Sequence, residues 1–233
     1  MSAVFKREMR AYFTMPIGYI VIAVMLLLTG MYFSYMCQSS YANISFVFSS
    51  ISSIALLLAP IITMRLFSED RKQKVDQALF TAPVKLINII CGKFFAAFAL
   101  FMIPMGITLI YQFILMFTAD VNWLVYLCDI LGIALMGAAI ISVGLFISAL
   151  TESQIIAGVF GMAVSFFIMQ MDYFASAVNV EWFSNLCVSI SFISRYNAFT
   201  SGQLDFSNAV FFISVVVVFL YLTHLVLDKK RWA

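Results

Sequence analysis

Long apolar runs separated by short polar stretches set the pattern of this chain. No charged residue occurs between Ala11 and Met64, and none occurs between Phe94 and Ala119. A helix needs about 20 apolar residues to cross the roughly 30 Å of hydrocarbon in a bilayer. The first run is long enough for two crossings, with the polar cluster at 38–43 as the turn between them. The pattern therefore predicts a membrane protein made almost wholly of spans.

The remaining polar breaks complete an all-α fold of six predicted transmembrane helices in a single domain, 1–233. The predicted spans are about 16–37, 44–64, 94–117, 130–150, 154–171 and 207–227. Four acids lie at span ends and leave the span centres without charge: Asp129, Glu152, Asp172 and Asp228. The aromatic stretch between spans five and six is expected to form one or two short extracellular helices.

The basic residues orient these spans, because Lys and Arg are concentrated in cytoplasmic loops. With both termini in the cytoplasm, all of the 13 basic residues except Arg195 are cytoplasmic. The acids expected outside are Asp120, Asp172, Glu181 and Asp205. We therefore predict a multi-pass protein with cytoplasmic N and C termini.

The composition also indicates a membrane protein, and it argues against metal, catalytic and nucleotide-binding sites in this chain. The chain is 64% hydrophobic and 10% charged, whereas soluble domains carry about 25% charged residues. The four cysteines lack metal-like spacing, and His224 has no sequence neighbour suited to a metal or a catalytic set. We expect no enzyme activity, no metal, no cofactor in this chain and no nucleic-acid partner. The ATP-binding motif GxxxxGK[ST] is also missing, because Phe94 follows the single Gly92-Lys93 pair.

The stretch SEDRKQKVDQALFTAPVK, 68–85, concentrates charge between spans two and three. Ser68 is predicted to cap a helix and Pro83 to end it. Glu69 and Asp70 lie in its first turn, where the helix dipole favours negative charge. An apolar stripe follows, made of Val75, Ala78 and Leu79. The stretch is either a short amphipathic docking helix or a solvated loop that obeys the positive-inside rule.

Residues 2–14 form a second predicted amphipathic helix. Basic residues lie on one side of it, at Lys6, Arg7 and Arg10, and Glu8 is the exception to the pattern. The other side is apolar and aromatic, with Val4, Phe5, Met9, Tyr12 and Phe13. This arrangement is typical of a helix that lies in the headgroup layer.

Two groups of small residues lie inside the predicted spans. In span two, four serines fall within about 100° of one another at helical spacing, and they are Ser45, Ser49, Ser52 and Ser53. They indicate either a polar pathway or hydrogen bonds to neighbouring helices. Glycine and alanine recur in spans four and five, for example at Gly132, Gly144 and Gly161, which favours close helix packing over a substrate role.

A family resemblance rests on six segments in a fixed order. They are FKREMRAYFTMPIGYI at 5–20, MRLFSEDRKQKVDQALFTAPV at 64–84, CGKF at 91–94, SALTESQIIAG at 148–158, ISRYNAFTSGQLDFSNAVFF at 193–212 and LDKKRW at 227–232. Through them nearly the whole chain resembles the permease subunit of ABC transporters of the ABC-2 export type. The most similar subgroup includes gliding-motility permeases and permeases linked to nitrous-oxide-reductase maturation.

The resemblance implies two permease chains, identical or related, bound to two ABC ATPase subunits that hold ATP and Mg. The loop 65–93 would carry a coupling helix, and 2–14 would be an interface helix beside the ATPase. The implied ATPase-coupling residues are Glu69, Asp70, Arg71, Val75, Leu79, Phe80, Pro83 and Glu152. The implied interface-helix residues are Phe5, Lys6, Arg7 and Arg10. Spans two and five would flank the pathway, which favours Ser45, Ser49, Ser52 and Ser53 as its lining.

The expected function is that of a non-catalytic permease subunit of an ATP-driven exporter in a bacterial cytoplasmic membrane. The alternative is a membrane anchor or assembly factor that binds an ATPase and moves no substrate. A proton- or sodium-driven transporter is disfavoured, because such proteins usually carry charge near the membrane midplane.

Overall fold

All the regular secondary structure is helical in the residues that the computed structural model describes, which are 1–38, 43–72, 85–117, 122–177 and 181–231. The helices, in chain order, are α1 (Ser2–Thr14), α2 (Pro16–Gln38), α3 (Ile44–Thr63), α4 (Ser68–Lys72), α5 (Leu86–Leu115), α6 (Trp123–Leu150), α7 (Gln154–Met169), α8 (Met171–Ala177), α9 (Glu181–Ile190), α10 (Phe192–Thr200) and α11 (Phe206–Arg231). No strand occurs in these ranges.

Five of the described helical segments are long and apolar enough to cross a membrane. They are α2, α3 continued through α4, α5, α6 and α11. Helices α7 and α8 pass the same test only as a pair bent by 46°, and counting that pair as one span gives six. The prediction of an all-helical, multi-pass membrane protein is therefore confirmed, while the sidedness of its termini stays a prediction.

Two helices begin earlier than the hydropathy pattern predicts. Helix α5 begins at Leu86 rather than near 94, and α6 begins at Trp123 rather than near 130. As a result Lys93 and Asp129, which were expected outside the spans, lie within helices and are fully buried. Both side chains have partners on neighbouring segments, so the helices extend past the purely apolar sequence. At about 1.5 Å per residue, α5 is about 45 Å long, longer than the hydrocarbon layer.

Helix α6 lies at the centre of the bundle and packs against α3, α5, α7, α10 and α11. Its glycines allow this crowding. A Cβ atom at Gly132 would lie 2.7 Å from Cβ of Phe199 in α10, and Gly144 lies against Thr63 of α3 in the same way. On α7, a Cβ at Gly161 would lie 2.9 Å from Cβ of Pro60. These contacts agree with the packing role predicted for the small residues of spans four and five.

The stretch between spans five and six contains short helices, as expected. Helix α10 packs against α6 and α3, and Tyr196 and Phe199 are buried there. Phe192 makes edge-to-face contacts with Phe211 and Phe212 at the beginning of α11. Aromatic packing therefore fixes α10 to both the central helix and the last span.

A matched pair of glycine substitutions tests this packing. Gly132→Ala is expected to destabilise the protein by about 1–3 kcal/mol, because the new methyl group overlaps the Cβ of Phe199, which cannot move without its backbone. Gly106→Ala is the control, because a Cβ there meets nothing within 4 Å and alanine favours the helix by about 1 kcal/mol. Thermal unfolding of both variants in detergent measures the difference. Equal stability of the two would contradict the close approach of α10 to α6.

Candidate functional site

The buried face of α1 attaches this helix to the end of α3. Glu8 and Tyr12 are four residues apart, so both side chains lie on one face of α1, and both are buried. The Tyr12 hydroxyl donates a hydrogen bond of 2.8 Å to the carbonyl oxygen of Ile62. Burial raises the pKa of Tyr12 well above its ordinary value, so the phenol keeps its proton.

Lys93 of α5 is the buried cation that joins α1 to the segment after α3. Its Nζ lies 2.9 Å from Oε1 of Glu8 and 2.7 Å from Oδ2 of Asp70, and it also donates to the carbonyl oxygen of Leu66. An ammonium group has three N–H donors, and these three acceptors match them. The ammonium also lies 5.2 Å from the centroid of the Phe67 ring. One side chain thus ties together three parts of the chain.

Arg7 closes the network from its partly exposed edge. Its Nη2 lies 2.6 Å from Oε1 of Glu8 and 3.2 Å from Oδ2 of Asp70. The Arg7 side chain is 41% exposed and that of Asp70 only 15%. The two carboxylates are therefore shared between one buried and one partly exposed cation.

A second ion pair lies beside the first. Nε of Arg65 is 3.1 Å from Oε2 of Glu69, one turn further along the chain. The Arg65 guanidinium also lies over the ring of Tyr12, 5.1 Å from its centroid. We call the set of Arg7, Glu8, Arg65, Glu69, Asp70 and Lys93 the charged cluster; its three cations balance its three anions.

The cluster sets the charge state of Glu8. Burial by itself would raise the pKa of Glu8, but the positive charges and hydrogen bonds of Lys93 and Arg7 outweigh it and hold that pKa below its ordinary value. An unfolded Glu titrates near about 4.3. The stability that this ionised carboxylate contributes is thus complete above that pH, and it is lost as pH falls through the lower pKa of the folded protein.

Ser148, in the last turn of α6, joins the central helix to the same segment. Its hydroxyl oxygen accepts hydrogen bonds from the backbone N–H groups of Phe67 and Ser68, at 3.1 and 3.2 Å, and donates to the carbonyl oxygen of Met64 at 3.1 Å. These are groups near the end of α3 that the helix itself leaves without a full set of partners. The short link 151–153 to α7 follows directly, and its Glu152 is exposed.

Ser68 does not cap a helix, which corrects the sequence prediction. Its hydroxyl donates back to the carbonyl oxygen of Met64 instead of accepting from the turn ahead. The N–H of Glu69 bonds to the carbonyl of Arg65, and that of Arg71 to Phe67. Helical turns therefore connect α3 to α4, and the N–H groups of Phe67 and Ser68 bond to Ser148, so the beginning of α4 does not depend on a cap from Ser68.

The predicted coupling residues are only partly described. Glu69 and Asp70 turn their carboxylates inward to the charged cluster, and Arg71 is half-buried in α4. Lys72, at the end of α4, is exposed. The remaining predicted coupling residues of this loop lie outside the described residues, and they are Val75, Leu79, Phe80 and Pro83. Contact of any of these residues with an ATPase stays a prediction.

Helix α1 covers the residues of the predicted interface helix, with Lys6 and Arg10 exposed and Phe5 half-buried, and its contact with an ATPase stays a prediction. Its apolar side packs on the core of the bundle through Val4, Phe5, Met9 and Phe13. Gly92 makes room for this contact, because a Cβ there would lie 3.0 Å from Cβ of Val4.

The serine stripe divides between the inside and the outside of the chain. Ser45 is buried and donates a 2.8 Å hydrogen bond to Oδ2 of Asp129, and buried Ser52 bonds to the carbonyl of Ser49. Ser49 is exposed and Ser53 half-buried. Of the four serines, Ser49 and Ser53 therefore reach the surface, whereas Ser45 and Ser52 do not. A pathway along the stripe stays a prediction.

Sequence reasoning missed Lys93, Arg65 and Glu8 as members of a site. The signal for Glu8 was present, since this acid breaks the basic pattern of α1 and lies one turn before Tyr12 on its apolar side. Its partner Lys93 is 85 residues away, and no local pattern connects the two.

Substitution of Lys93 tests whether the charged cluster holds this end together. Lys93→Gln leaves Glu8 and Asp70 without their shared buried cation and is expected to lower the free energy of unfolding by about 3–5 kcal/mol. Lys6→Gln removes an exposed positive charge from the same helix as Glu8 and is expected to cost less than about 0.5 kcal/mol. Thermal unfolding in detergent compares the two variants.

A double variant separates the ion pair from other effects of the substitution. Glu8→Gln together with Lys93→Gln should cost clearly less than the sum of the single variants, because the double variant removes one cation and one anion together and leaves Arg7 paired with Asp70. Additive costs, or a Lys93→Gln variant as stable as Lys6→Gln, would contradict the role assigned to the cluster.

No protein-family model matches the chain, and a search of curated proteins finds no similar protein. The candidate site is therefore defined by its own geometry, in which α1, the segment 64–72 and the last turn of α6 meet at one end of the bundle.

Proposed function

We propose that this chain is the permease subunit of an ATP-driven exporter of the ABC-2 type. Two such chains would pair in a bacterial cytoplasmic membrane and bind two ATPase subunits, which hold ATP and Mg and supply the energy. The proposal starts from the resemblance of six sequence segments to that family. The chain itself lacks the nucleotide-binding motif, so a separate ATPase is required.

One structural observation carries the proposal. Three segments that the resemblance assigns to ATPase contact, namely α1, the beginning of the coupling segment at 68–72 and the link 151–153, lie at the same end of the bundle. The charged cluster connects the first two, and Ser148 connects the second to α6. A docking surface needs such a convergence of segments from distant parts of the sequence.

The same contacts provide a route for mechanical coupling. A displacement of 68–72 by a partner would act on α1 and α5 through Asp70, on the end of α3 through Glu69 and on central α6 through Ser148. Each of these links is a hydrogen bond or an ion pair to a neighbouring part of the bundle. A displacement of 68–72 would therefore pull on the helices to which it is bonded. Closure of an ATPase pair on this end would thus reach the spans directly.

Exposed charges next to the cluster test the docking surface without disturbing its interior. Lys72 and Glu152 are both exposed, so Lys72→Glu and Glu152→Lys are expected to leave folding intact and to weaken recovery of an ATPase with the tagged chain from its native membranes. Lys229→Glu makes the same change at another exposed position, on α11, and should leave recovery unchanged. Quantitative mass spectrometry of the purified complex, with ATP hydrolysis assayed on the same sample, measures the effect.

Deletion of 73–80 gives the sharper outcome, because it spares every member of the charged cluster. The expected result is a folded, membrane-inserted chain that no longer recovers the ATPase. Undiminished recovery of the ATPase after this deletion would refute the assignment of 73–80 to ATPase contact. A purified wild-type complex without any ATP-hydrolysing subunit would refute the proposed function as a whole.

A further inference from the structure

A polar cleft lies at the end of the bundle opposite the charged cluster. Helix α10 packs on Gly132 of α6, and Ser148, which contacts the charged end, is 16 residues or about 24 Å further along that helix. The cleft opens between α9, α10 and the beginning of α11, with a volume of about 550 Å³. Its lining is mostly polar, with Asn185, Val188, Ser189, Ser194, Arg195 and Asn208.

Arg195 is the cation of this cleft, and its guanidinium is held in place by neutral groups. Nε donates to the carbonyl oxygen of Ser189 at 2.8 Å, and Nη1 donates to Oδ1 of Asn208 at 2.9 Å. The guanidinium lies over the Phe211 ring, 4.2 Å from its centroid. Contacts on three sides fix the orientation of this charge before any ligand arrives, which lowers the entropy cost of binding.

The charge of Arg195 has no counter-ion in the part of the chain that the structure describes. No described carboxylate lies within 4.0 Å of its guanidinium nitrogens. Asp205, directly before α11, accepts the backbone N–H of Ser207 at 2.9 Å. Of the five N–H donors of the guanidinium, two are used in the described hydrogen bonds, which leaves three to bind an anion.

The neutral groups of the cleft add donors for the same anion. Oδ1 of Asn208 accepts from Arg195, so its amide N–H groups are available to a ligand, and Asn185 and Ser194 contribute an amide and a hydroxyl to the lining. A guanidinium fork with several neutral donors matches the oxygens of a phosphate group.

The depth of the cleft indicates where that phosphate comes from. Asn208 is the third residue of α11, whose membrane-spanning stretch begins at Phe206, so the cleft lies at the level where a span leaves the hydrocarbon. Exposed aromatic side chains lie close in sequence to the lining residues, with Trp182, 67% exposed, three residues before Asn185 and Phe206, 83% exposed, two residues before Asn208, as is typical of the headgroup layer. We propose that this cleft binds the phosphate group of a membrane phospholipid, whether or not the chain serves an ATPase.

Binding of short-chain lipids to the delipidated, full-length protein in detergent tests the proposal. Dihexanoyl phosphatidylglycerol should bind, dihexanoylglycerol without the phosphate should not, and glycerol phosphate without the acyl chains should bind more weakly than the lipid. Native mass spectrometry and a titration by tryptophan fluorescence measure the three affinities. Equal affinity for dihexanoyl phosphatidylglycerol and glycerol phosphate would show that the cleft binds a soluble phosphate rather than a lipid. Equal affinity for dihexanoyl phosphatidylglycerol and dihexanoylglycerol would show that the cleft does not bind the phosphate, which would overturn the proposal.

Asn208→Asp is the decisive variant, because it keeps Arg195 and nearly keeps the shape of the cleft. The new carboxylate supplies the missing counter-ion, so thermal stability should be kept while affinity for phosphatidylglycerol falls by about tenfold or more. Arg195→Gln should show the same loss of affinity. Lys229→Gln removes an exposed positive charge from the other end of α11 and should bind as the unchanged chain does. Unchanged binding in Asn208→Asp and Arg195→Gln would overturn the proposal.

Discussion

The Lys93 ammonium group is fully buried, and it imposes a strict condition on the surrounding chain. A buried charge is tolerated only when oppositely charged and hydrogen-bonding groups surround it. For Lys93 these groups come from Glu8 in α1, from Asp70 in α4 and from the backbone at Leu66. If α1 or the segment after α3 left the bundle, Lys93 would lose one of its two carboxylate partners. A long-range polar contact therefore decides how α1 and the segment 64–72 lie against the bundle.

The remainder of the bundle is held by close packing rather than by charge. In a membrane the lipid is as apolar as the outer faces of α2 and α11, where side chains such as Leu27 and Val217 are exposed, so apolar surface alone gives helices little reason to associate. The glycines of α6 let α3, α5 and α10 approach to contact distance, which supplies dispersion energy instead. Polar groups are then concentrated at the two ends, around Lys93 and around Arg195. This division gives each end of the bundle its own chemistry.

Much of the architecture can be predicted from the sequence, because hydropathy reports directly on what a bilayer accepts. The apolar runs place the spans, and the alternation of basic and apolar residues places α1 and its exposed Lys6 and Arg10. The earlier start of α5 could not be predicted, since Lys93 is acceptable inside a helix only once its partner Glu8, 85 residues away, is known. Ser68 was wrongly expected to be a cap for a related reason: its N–H group is bonded by Ser148, from a helix 80 residues distant. Local signals thus predict which stretches of the chain are helical, whereas pairings between distant residues decide where some helices begin, how they lie and which polar groups they bury.

Hydrogen exchange of the α1 backbone, followed by mass spectrometry on the full chain in detergent, measures how firmly the charged cluster holds α1 on the bundle. If the charged cluster holds α1 on the bundle, amides at 5–14 should be protected to a degree near that of the adjoining part of α2. Lys93→Gln should remove this protection in α1 while leaving α6 unchanged, because the opening is local. Rapid exchange of α1 in the unsubstituted protein, or protection that survives Lys93→Gln, would contradict the account.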